Sequence, residues 1–192
     1  MRGPISFLTL VIVTRAAAAE TSTSPPPLNI TALSSRNGYS VLECWQLSSI
    51  PVDAMSAANY AVGGNTTQAV WSRIEPRTHI GEAWAPHVQL SIILNGLIRI
   101  TSPAPEPNAS IKSVSVQDGL QAGQRPDSKV AYIMPGTLVS SVLIAADLKS
   151  LSTIAGHFTE FPSGEPTILV QIPFEGDRVP EHKVLHEGAC LA

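Results

Sequence analysis

The sequence is poor in charge, in aromatic residues and in cysteine. Charged residues make up 14% of the 192 residues, aromatic residues make up 5%, and there are 2 cysteines. The formal net charge is −3, and no basic stripe is present that would neutralise phosphates, so we do not expect a nucleic-acid partner. The low charge, the 16 prolines and the 13 glycines together argue against long helices.

Motifs of several other functional classes are also missing. No glycine-rich loop follows a predicted strand and opens a helix, so nucleotide binding is not expected. The chain has no Ser-His-Asp order and no nucleophile elbow, which argues against a hydrolase. Beyond residue 19, charges and prolines interrupt every apolar run, so we expect no later segment to span a membrane.

The first 19 residues have the pattern of a cleaved signal peptide. Arg2 supplies the positive start, residues 5–14 are apolar, and Ala17-Ala18-Ala19 before Glu20 resembles a cleavage site. The apolar stretch is shorter than the ~20 residues that cross a bilayer. We therefore expect a secreted or secretory-pathway protein with a signal peptide over 1–19, an extended leader over 20–38 and one domain over 39–192.

The two cysteines and three glycosylation sequons fit the same oxidising compartment. Cys44 and Cys190 lie near the two ends of the mature chain, and an even pair favours a disulfide between them. Two free buried thiols are the alternative. The sequons begin at Asn29, Asn65 and Asn108, each in a polar, turn-rich stretch.

Short apolar runs alternate with turn signals along the mature chain, which is typical of an all-β protein. Asn95-Gly96 predicts a tight hairpin, and residues 162–165 predict a second hairpin. Residues 50–60 and 145–153 each have room for one helical turn. Strands are predicted over 39–46, 68–75, 87–94, 96–101, 111–116, 129–134, 138–145, 154–161 and 167–174.

Alternation along three predicted strands collects polar side chains on one face of each strand. That face either meets solvent or lines a partly polar cavity inside a barrel. Tryptophan and glutamine are unusual choices for a purely solvated face, which favours the cavity. The residues concerned are Trp71, Arg73 and Glu75 in 68–75, His87 and Gln89 in 87–94, and Thr167 and Gln171 in 167–174.

Two spacings resemble the two sequence motifs of the cupin family. Gly156-x5-Pro162-x-Gly164-x2-Thr167-x3-Gln171 has the spacing of the second motif, with Thr167 at the place of a metal-binding histidine. Gln89-x6-Gly96 matches the end of the first motif, with Gln89 in place of a metal-binding glutamate. The resemblance implies an all-β, cupin-like jelly roll whose metal ligands are replaced. The remaining candidate ligands, which fill no consistent motif register, are His79, His87 and His157, while His182 and His186 lie in the tail.

The mature chain also resembles a group of small secreted fungal proteins with cupin-like sequences. The likeness lies in Glu43-Cys44-Trp45-Gln46, in Gly156-His157-Phe158-Thr159 and in the ending over 184–190. Members of such groups occur beside natural-product biosynthesis genes. Some are hetero-Diels–Alderases, which dehydrate a benzylic alcohol to a quinone methide and guide its cycloaddition. The resemblance implies such chemistry here, with no cofactor.

Without a metal, acid–base groups and hydrogen-bond donors in a dry pocket would carry the chemistry. His157 is the main acid–base candidate, because histidine moves protons near neutral pH. A slip of one residue in strand register would put it on the surface instead. Arg73 and Glu75 are the other catalytic candidates, as a pair that orients an oxygenated ligand. The substrate-binding candidates are Trp71, Trp84, His87, Gln89, Tyr132, Phe161, Thr167 and Gln171.

Three functional hypotheses follow. The leading one is a secreted, metal-independent enzyme of fungal secondary metabolism that dehydrates, isomerises or cyclises an apolar, oxygenated small molecule. The second is a secreted binding or surface protein without enzymatic activity that uses the same cavity. The third is a metal-dependent cupin oxygenase with a non-standard ligand set. The aliphatic faces of the strands also favour a homodimer.

Overall fold

A computed structural model describes residues 25–106, 125–136 and 139–191. Within these ranges the chain is all-β, as predicted, with a single 3-10 turn at Glu175–Asp177 and no α-helix. The strands are β1 (Asn29–Arg36), β2 (Tyr39–Leu47), β3 (Val52–Ala54), β4 (Ala57–Asn59), β5 (Val70–Ile74), β6 (Thr78–Ala83), β7 (Gln89–Asn95), β8 (Ile98–Ser102), β9 (Lys129–Ile133), β10 (Val142–Ala145), β11 (His157–Phe161), β12 (Thr167–Pro173) and β13 (His182–Glu187).

Two sheets pack face to face. The larger sheet has the strand order β13-β2-β1-β10-β7-β12-β5, and the smaller one has the order β6-β11-β8-β9. All pairs in both sheets are antiparallel except β1 with β10, which run parallel. The short β3–β4 hairpin stands apart from both sheets.

The core between the sheets is built from the inward residues of both. Leu33, Leu42, Ile93 and Leu143 of the larger sheet form one cluster with apolar residues of the smaller sheet, among them Phe161. Alternate residues of these strands point inward, so each strand contributes every second side chain to the core.

Part of the outer face of the larger sheet, around β1, β2 and β10, is buried as well. Ile30, Trp45 and Ile144 form a second cluster there, and Val62 and Phe174 from outside the strand ladder pack with it. Both faces of β1 are therefore apolar or small. The predicted leader over 20–38 is corrected by this strand, since Asn29–Arg36 pairs with β2 on one side and β10 on the other. A strand buried on both faces lacks the alternation from which it could have been predicted.

The predicted disulfide is confirmed. Cys44 lies in β2, and Cys190 follows β13, which pairs antiparallel with β2, so the two Cα atoms are 4.6 Å apart. The tail that carries His182 and His186 is thus an edge strand, and the His182 ring stacks on Trp45 at 3.6 Å between centroids. Nowhere in the described ranges is a helix long and apolar enough to cross a bilayer.

Both predicted hairpins are wrong in the same way. β7 and β8 flank Asn95-Gly96 but belong to different sheets, and β11 and β12 flank residues 162–165 and also belong to different sheets. Each tight turn carries the chain from one sheet to the other. A turn signal fixes the reversal of the chain, whereas the strand partners are chosen by the packing of the whole domain.

Other predictions either differ from the structure or lie outside the residues that it describes. Residues 52–59 form the β3–β4 hairpin instead of a helical turn, with Met55 and Ser56 at positive φ. Residues 149–151 form a turn and no helix. The signal peptide over 1–19, the strand over 111–116 and the sequon at Asn108 lie outside the described residues. Asn65 is exposed, and Asn29 is half-buried at the start of β1.

Gly96→Ala is expected to destabilise the fold by about 2–4 kcal/mol, because it adds a clash to a strained backbone. Gly96 has φ +82°, and a Cβ atom there would lie 2.7 Å from Cα of Thr167. Gly136 is the matched control, since its φ is +80° and none of the described residues lies within 4 Å of the place that its Cβ would take. Urea unfolding should show a clearly larger loss for Gly96→Ala than for Gly136→Ala; equal losses would contradict the packing argument.

Candidate functional site: a buried Asp–His pair beside an internal cavity

The inward faces of β5, β7, β11 and β12 carry polar side chains at one end of the space between the sheets. On β11, His157, Thr159 and Phe161 are buried, while Phe158 and Glu160 lie on the opposite face. On β7, Gln89 and Ser91 alternate with residues of the outer face in the same way. The space between the two sheets is therefore polar on part of its wall.

These residues line a cavity of about 250 Å³. Its wall combines hydrogen-bonding groups with aliphatic and aromatic side chains from both sheets. The polar part consists of Ser72, Gln89, Ser91, His157, Thr159 and Gln171, and the apolar part includes Leu33, Ile74, Trp84, Ile98, Ile100, Leu143, Phe161 and Leu169. His157 is the one titratable side chain among the described residues of this wall.

His157 is held by a buried carboxylate. Nδ1 of His157 lies 2.6 Å from Oδ2 of Asp147, and Asp147 is fully buried. The same carboxylate accepts a hydrogen bond from the hydroxyl of Ser40 and one from the backbone N–H of Ala85, at 3.3 Å. Three donors thus satisfy a buried charge that would otherwise be costly.

The hydrogen bond to Asp147 assigns the tautomer of His157. A carboxylate accepts, so Nδ1 carries a proton, and in the neutral imidazole Nε2 then holds the lone pair. No residue in the described ranges is hydrogen-bonded to Nε2. A histidine that lines a cavity and is fixed through Nδ1 is the arrangement of an oriented general base.

Two polar side chains opposite His157 are also free to bind a ligand. The side chains of Gln89 and Ser91 are almost completely buried, and neither has a hydrogen-bond partner within the part of the chain that the structure describes. Gln171 pairs with Ser91 across the β7–β12 ladder, and its Oε1 is 3.4 Å from the Ser72 hydroxyl. These groups give the cavity hydrogen-bond donors and acceptors without adding charge.

Asp147→Asn is expected to lower the free energy of unfolding by about 1–3 kcal/mol. An asparagine amide nitrogen cannot accept, so one of the donors from Ser40, Ala85 or His157 would be left unpaired. Denaturant unfolding measures this loss, and Asp53→Asn on the exposed β3 strand serves as the control. An Asp147→Asn protein as stable as the control variant would contradict the hydrogen-bond assignment.

Five of the residues predicted from the sequence line this cavity: Trp84, Gln89, Phe161, His157 and Gln171. Thr167 is buried beside them at Gly96, with its hydroxyl 3.5 Å from the carbonyl oxygen of Leu97, but it does not line the cavity. Trp84 is fixed in the wall by a hydrogen bond of 2.8 Å from its indole N–H to the carbonyl oxygen of Ser152.

Other predicted residues lie outside the cavity, which corrects their expected position. Arg73 and Glu75 form an exposed ion pair on the outer face of β5, and Trp71 on the same face is 59% exposed. Ser72 and Ile74 take the inward positions of this strand. Charged side chains on an edge strand remain hydrated when they face outward. This preference determines which alternate residues of β5 face solvent.

Tyr132 and His87 are also placed away from the cavity. Tyr132 is half-exposed on the outer face of β9, near Arg99. The pKa of Arg99 is raised, mainly by its hydrogen bond to Glu160 and then by its hydrogen bond to Tyr132. His87 is exposed, with Nδ1 3.2 Å from Oδ1 of Asp177. Neither side chain is positioned to contact a molecule bound between the sheets.

The donor set does not fit a metal centre. The ligands of a cupin-type metal site would be expected near Gln89 and Thr167. Among the described residues, no pair of histidines accompanies the Gln89 amide or the Thr167 hydroxyl. His79 and His87 are exposed on different faces from His157. Within the described ranges, no three side chains of His, Cys, Asp or Glu come together as ligands. We therefore derive no step through a metal.

Asp147 is the site residue that sequence reasoning missed. It follows the apolar run of β10, where an aspartate usually marks the start of a turn. Its lack of solvent exposure and its contact with β11 arise only from the folded structure. Comparisons with models of protein families, with curated proteins and with solved structures gave no match.

Proposed function

We propose that this protein is a metal-independent enzyme that dehydrates, isomerises or cyclises an apolar, oxygenated small molecule. The observation that carries the proposal is the Asp147–His157 pair, in which a buried carboxylate orients the imidazole of a residue that lines the cavity. Asp147 also accepts hydrogen bonds from Ser40 and from the N–H of Ala85, so its burial serves the fold as well. A carboxylate that holds the orientation of a histidine at the wall of a cavity supports proton transfer as the chemistry.

We further propose a cupin-like jelly roll, secretion, and a place in fungal secondary metabolism. The two facing sheets and the motif spacings around Gly96 and Gly156 support the fold. The signal-peptide pattern and the Cys44–Cys190 disulfide support an oxidising, extracytoplasmic compartment. The biosynthetic setting rests on the sequence resemblance to small secreted fungal proteins.

A single histidine is sufficient for the dehydration of an ortho-(hydroxyalkyl)phenol. Nε2 of His157 accepts the phenolic proton, the electron pair moves into the ring, and the benzylic C–O bond breaks. The leaving hydroxide takes the proton back from Nε2 and departs as water, which regenerates the neutral imidazole and leaves an ortho-quinone methide. Cycloaddition to an electron-rich alkene then forms one C–C and one C–O bond without further proton transfer.

The rest of the cavity would position the reacting groups. The amides of Gln89 and Gln171 and the hydroxyl of Ser91 can donate hydrogen bonds to the phenol or carbonyl oxygen. Phe161, Ile98 and the other apolar residues would pack against the ring and exclude water, which protects a quinone methide from hydration. Holding the alkene beside the diene supplies the orientation that a cycloaddition needs.

The proposal can be tested with 2-(1-hydroxyethyl)phenol, which has a benzylic hydroxyl, and ethyl vinyl ether as model reactants. Purified protein should form the chroman product faster than buffer does, and in unequal amounts of its enantiomers, as measured by chiral chromatography. Racemic product at the background rate would contradict catalysis. If calorimetry then showed that the phenol binds, the second candidate, a small-molecule-binding protein, would replace the enzyme.

That second candidate is favoured by one observation. The described wall of the cavity contains one titratable side chain, so a reaction that needs a separate acid and base at the same moment has no second group there. The dehydration above needs only one group, used twice in succession. The model reaction therefore separates the two candidates directly.

A further inference from the structure

A second pocket adjoins the internal cavity across the segment Trp84-Ala85-Pro86. It has a volume of about 490 Å³, and the same three residues line both spaces. Its other walls come from Leu148, Lys149 and Ser150 and from Asp177. We call it the outer pocket. Because the two spaces share these three residues, they lie side by side, and a ligand that spans both would pass Trp84.

Lys149 is the only cationic residue among the described residues of the outer pocket. Its ammonium group lies 4.6 Å from the centre of the Trp84 ring, a cation–π contact. The side chain is exposed, and it makes no ion pair with a carboxylate in the described ranges. The positive charge is thus held at the wall of the cavity without an acidic partner.

The pocket also contains one carboxylate among its described residues, and hydrogen bonds hold this group in place without removing its charge. Oδ1 of Asp177 accepts the backbone N–H of Val88 at 3.0 Å and lies 3.2 Å from Nδ1 of His87. Asp177 is therefore directed toward the start of β7. An anion entering the outer pocket would meet Lys149 as its unpaired counter-charge.

The internal cavity favours the opposite kind of group. Its volume of about 250 Å³ is below the ~300–1,000 Å³ typical of sites for drug-sized ligands, so a larger substrate must extend beyond it. The nearest buried charge is the carboxylate of Asp147 behind His157. A second negative charge in the cavity would be repelled and would lose its hydration.

We infer that the substrate is an amphipathic acid, with a neutral, apolar, oxygenated body in the cavity and a carboxylate bound by Lys149 in the outer pocket. The inference rests on the proposed function, because it assumes that the cavity holds the substrate. It adds the chemical class of the ligand: a carboxylic acid is preferred over the matching alcohol.

The test uses two probes that differ only in the head group, a carboxylate in naphthylbutanoate and a hydroxymethyl group in naphthylbutanol, with binding measured by calorimetry. We expect the acid to bind about 2- to 5-fold more tightly than the alcohol, as for a single solvent-exposed ion pair. Lys149→Gln should remove this preference and leave the affinity for the alcohol unchanged. Lys183→Gln on the distant edge strand β13 is the matched control and should keep the preference. Raising the ionic strength from about 0.1 M to about 1 M should also remove it.

The outcomes distinguish the two proposals. Ser72→Leu, which fills the cavity from the edge strand β5, should weaken both probes. If the alcohol binds but the acid binds no better, or if Lys149→Gln keeps the preference, the carboxylate inference is overturned while the cavity remains a binding site. If neither probe binds, both the inference and the proposed use of the cavity are overturned.

Discussion

His157→Gln is expected to lower the rate of the model dehydration by about 10²–10⁴-fold. Glutamine retains a polar side chain of similar length and can still donate a hydrogen bond to Asp147, but it cannot take a proton from a phenol. The affinity for the model phenol, measured by calorimetry in the absence of alkene, should change by less than about 3-fold, because Gln89, Ser91 and the apolar wall remain. A loss in rate with binding retained assigns His157 to the chemistry.

Two further variants make this result specific. Arg73→Ala on the outer face of β5 should keep the rate within about 2-fold, since its side chain is exposed and paired with Glu75. Asp147→Asn should lower the rate as well, by loss of the tautomer and orientation of His157, with an effect mainly on kcat and little on KM. A His157→Gln protein that keeps both its fold and the wild-type rate would refute the assignment of His157 as the proton carrier.

The strand that carries His157 was predicted from the sequence; alternation grouped its side chains by face, but whether His157 faces inward stayed open. Gly156 and Pro162 bound a segment in which His157, Thr159 and Phe161 take one parity, and this parity is inward. The same rule assigned Gln89 and Gln171 to one face of their strands, and both line the cavity. Period-two patterning separates the faces of β7 and β12 because one face of each of these strands is clearly more apolar than the other.

Alternation was insufficient for β5. There, one parity contains Trp71, Arg73 and Glu75, and the other contains Ser72 and Ile74, so neither is plainly apolar. Which of the two faces points outward is determined by the position of β5 at the edge of its sheet, where long charged side chains reach water. Edge position is a property of the folded sheet and is not encoded within the strand itself.

Asp147 could not be inferred from the sequence for a related reason. It lies just beyond the end of β10 in the larger sheet, whereas His157 lies on β11 in the smaller one. Their contact depends on how the two sheets face each other and on the N–H of Ala85, which completes the carboxylate's hydrogen bonds. Asp147 and His157 are ten residues apart in the sequence, and the residue types between them indicate neither the facing of the sheets nor the hydrogen bond from Ala85.

Cys44→Ser/Cys190→Ser is expected to lower the free energy of unfolding by about 2–5 kcal/mol. The bond joins residues 146 apart in sequence, so in the unfolded chain it restricts nearly the whole domain, and the entropic gain grows with the length of that loop. For a domain of this size, the loss corresponds to a fall in Tm of about 5–20 °C. Thermal unfolding followed by circular dichroism measures it.

The same variant should loosen the edge of the larger sheet first. β13 is exposed along five of its six residues, and beyond the bond it is held by its ladder with β2, the Trp45–His182 stack and the ion pair of Glu187 with Arg36. Limited proteolysis should therefore cleave near 182–187 in the variant and spare the wild type. Reduced wild-type protein should melt at the same temperature as the double serine variant, because both lack only the bond. If the reduced protein instead melts at the oxidised temperature while the variant does not, the loss comes from burying the new serine hydroxyl in β2 and not from the missing cross-link.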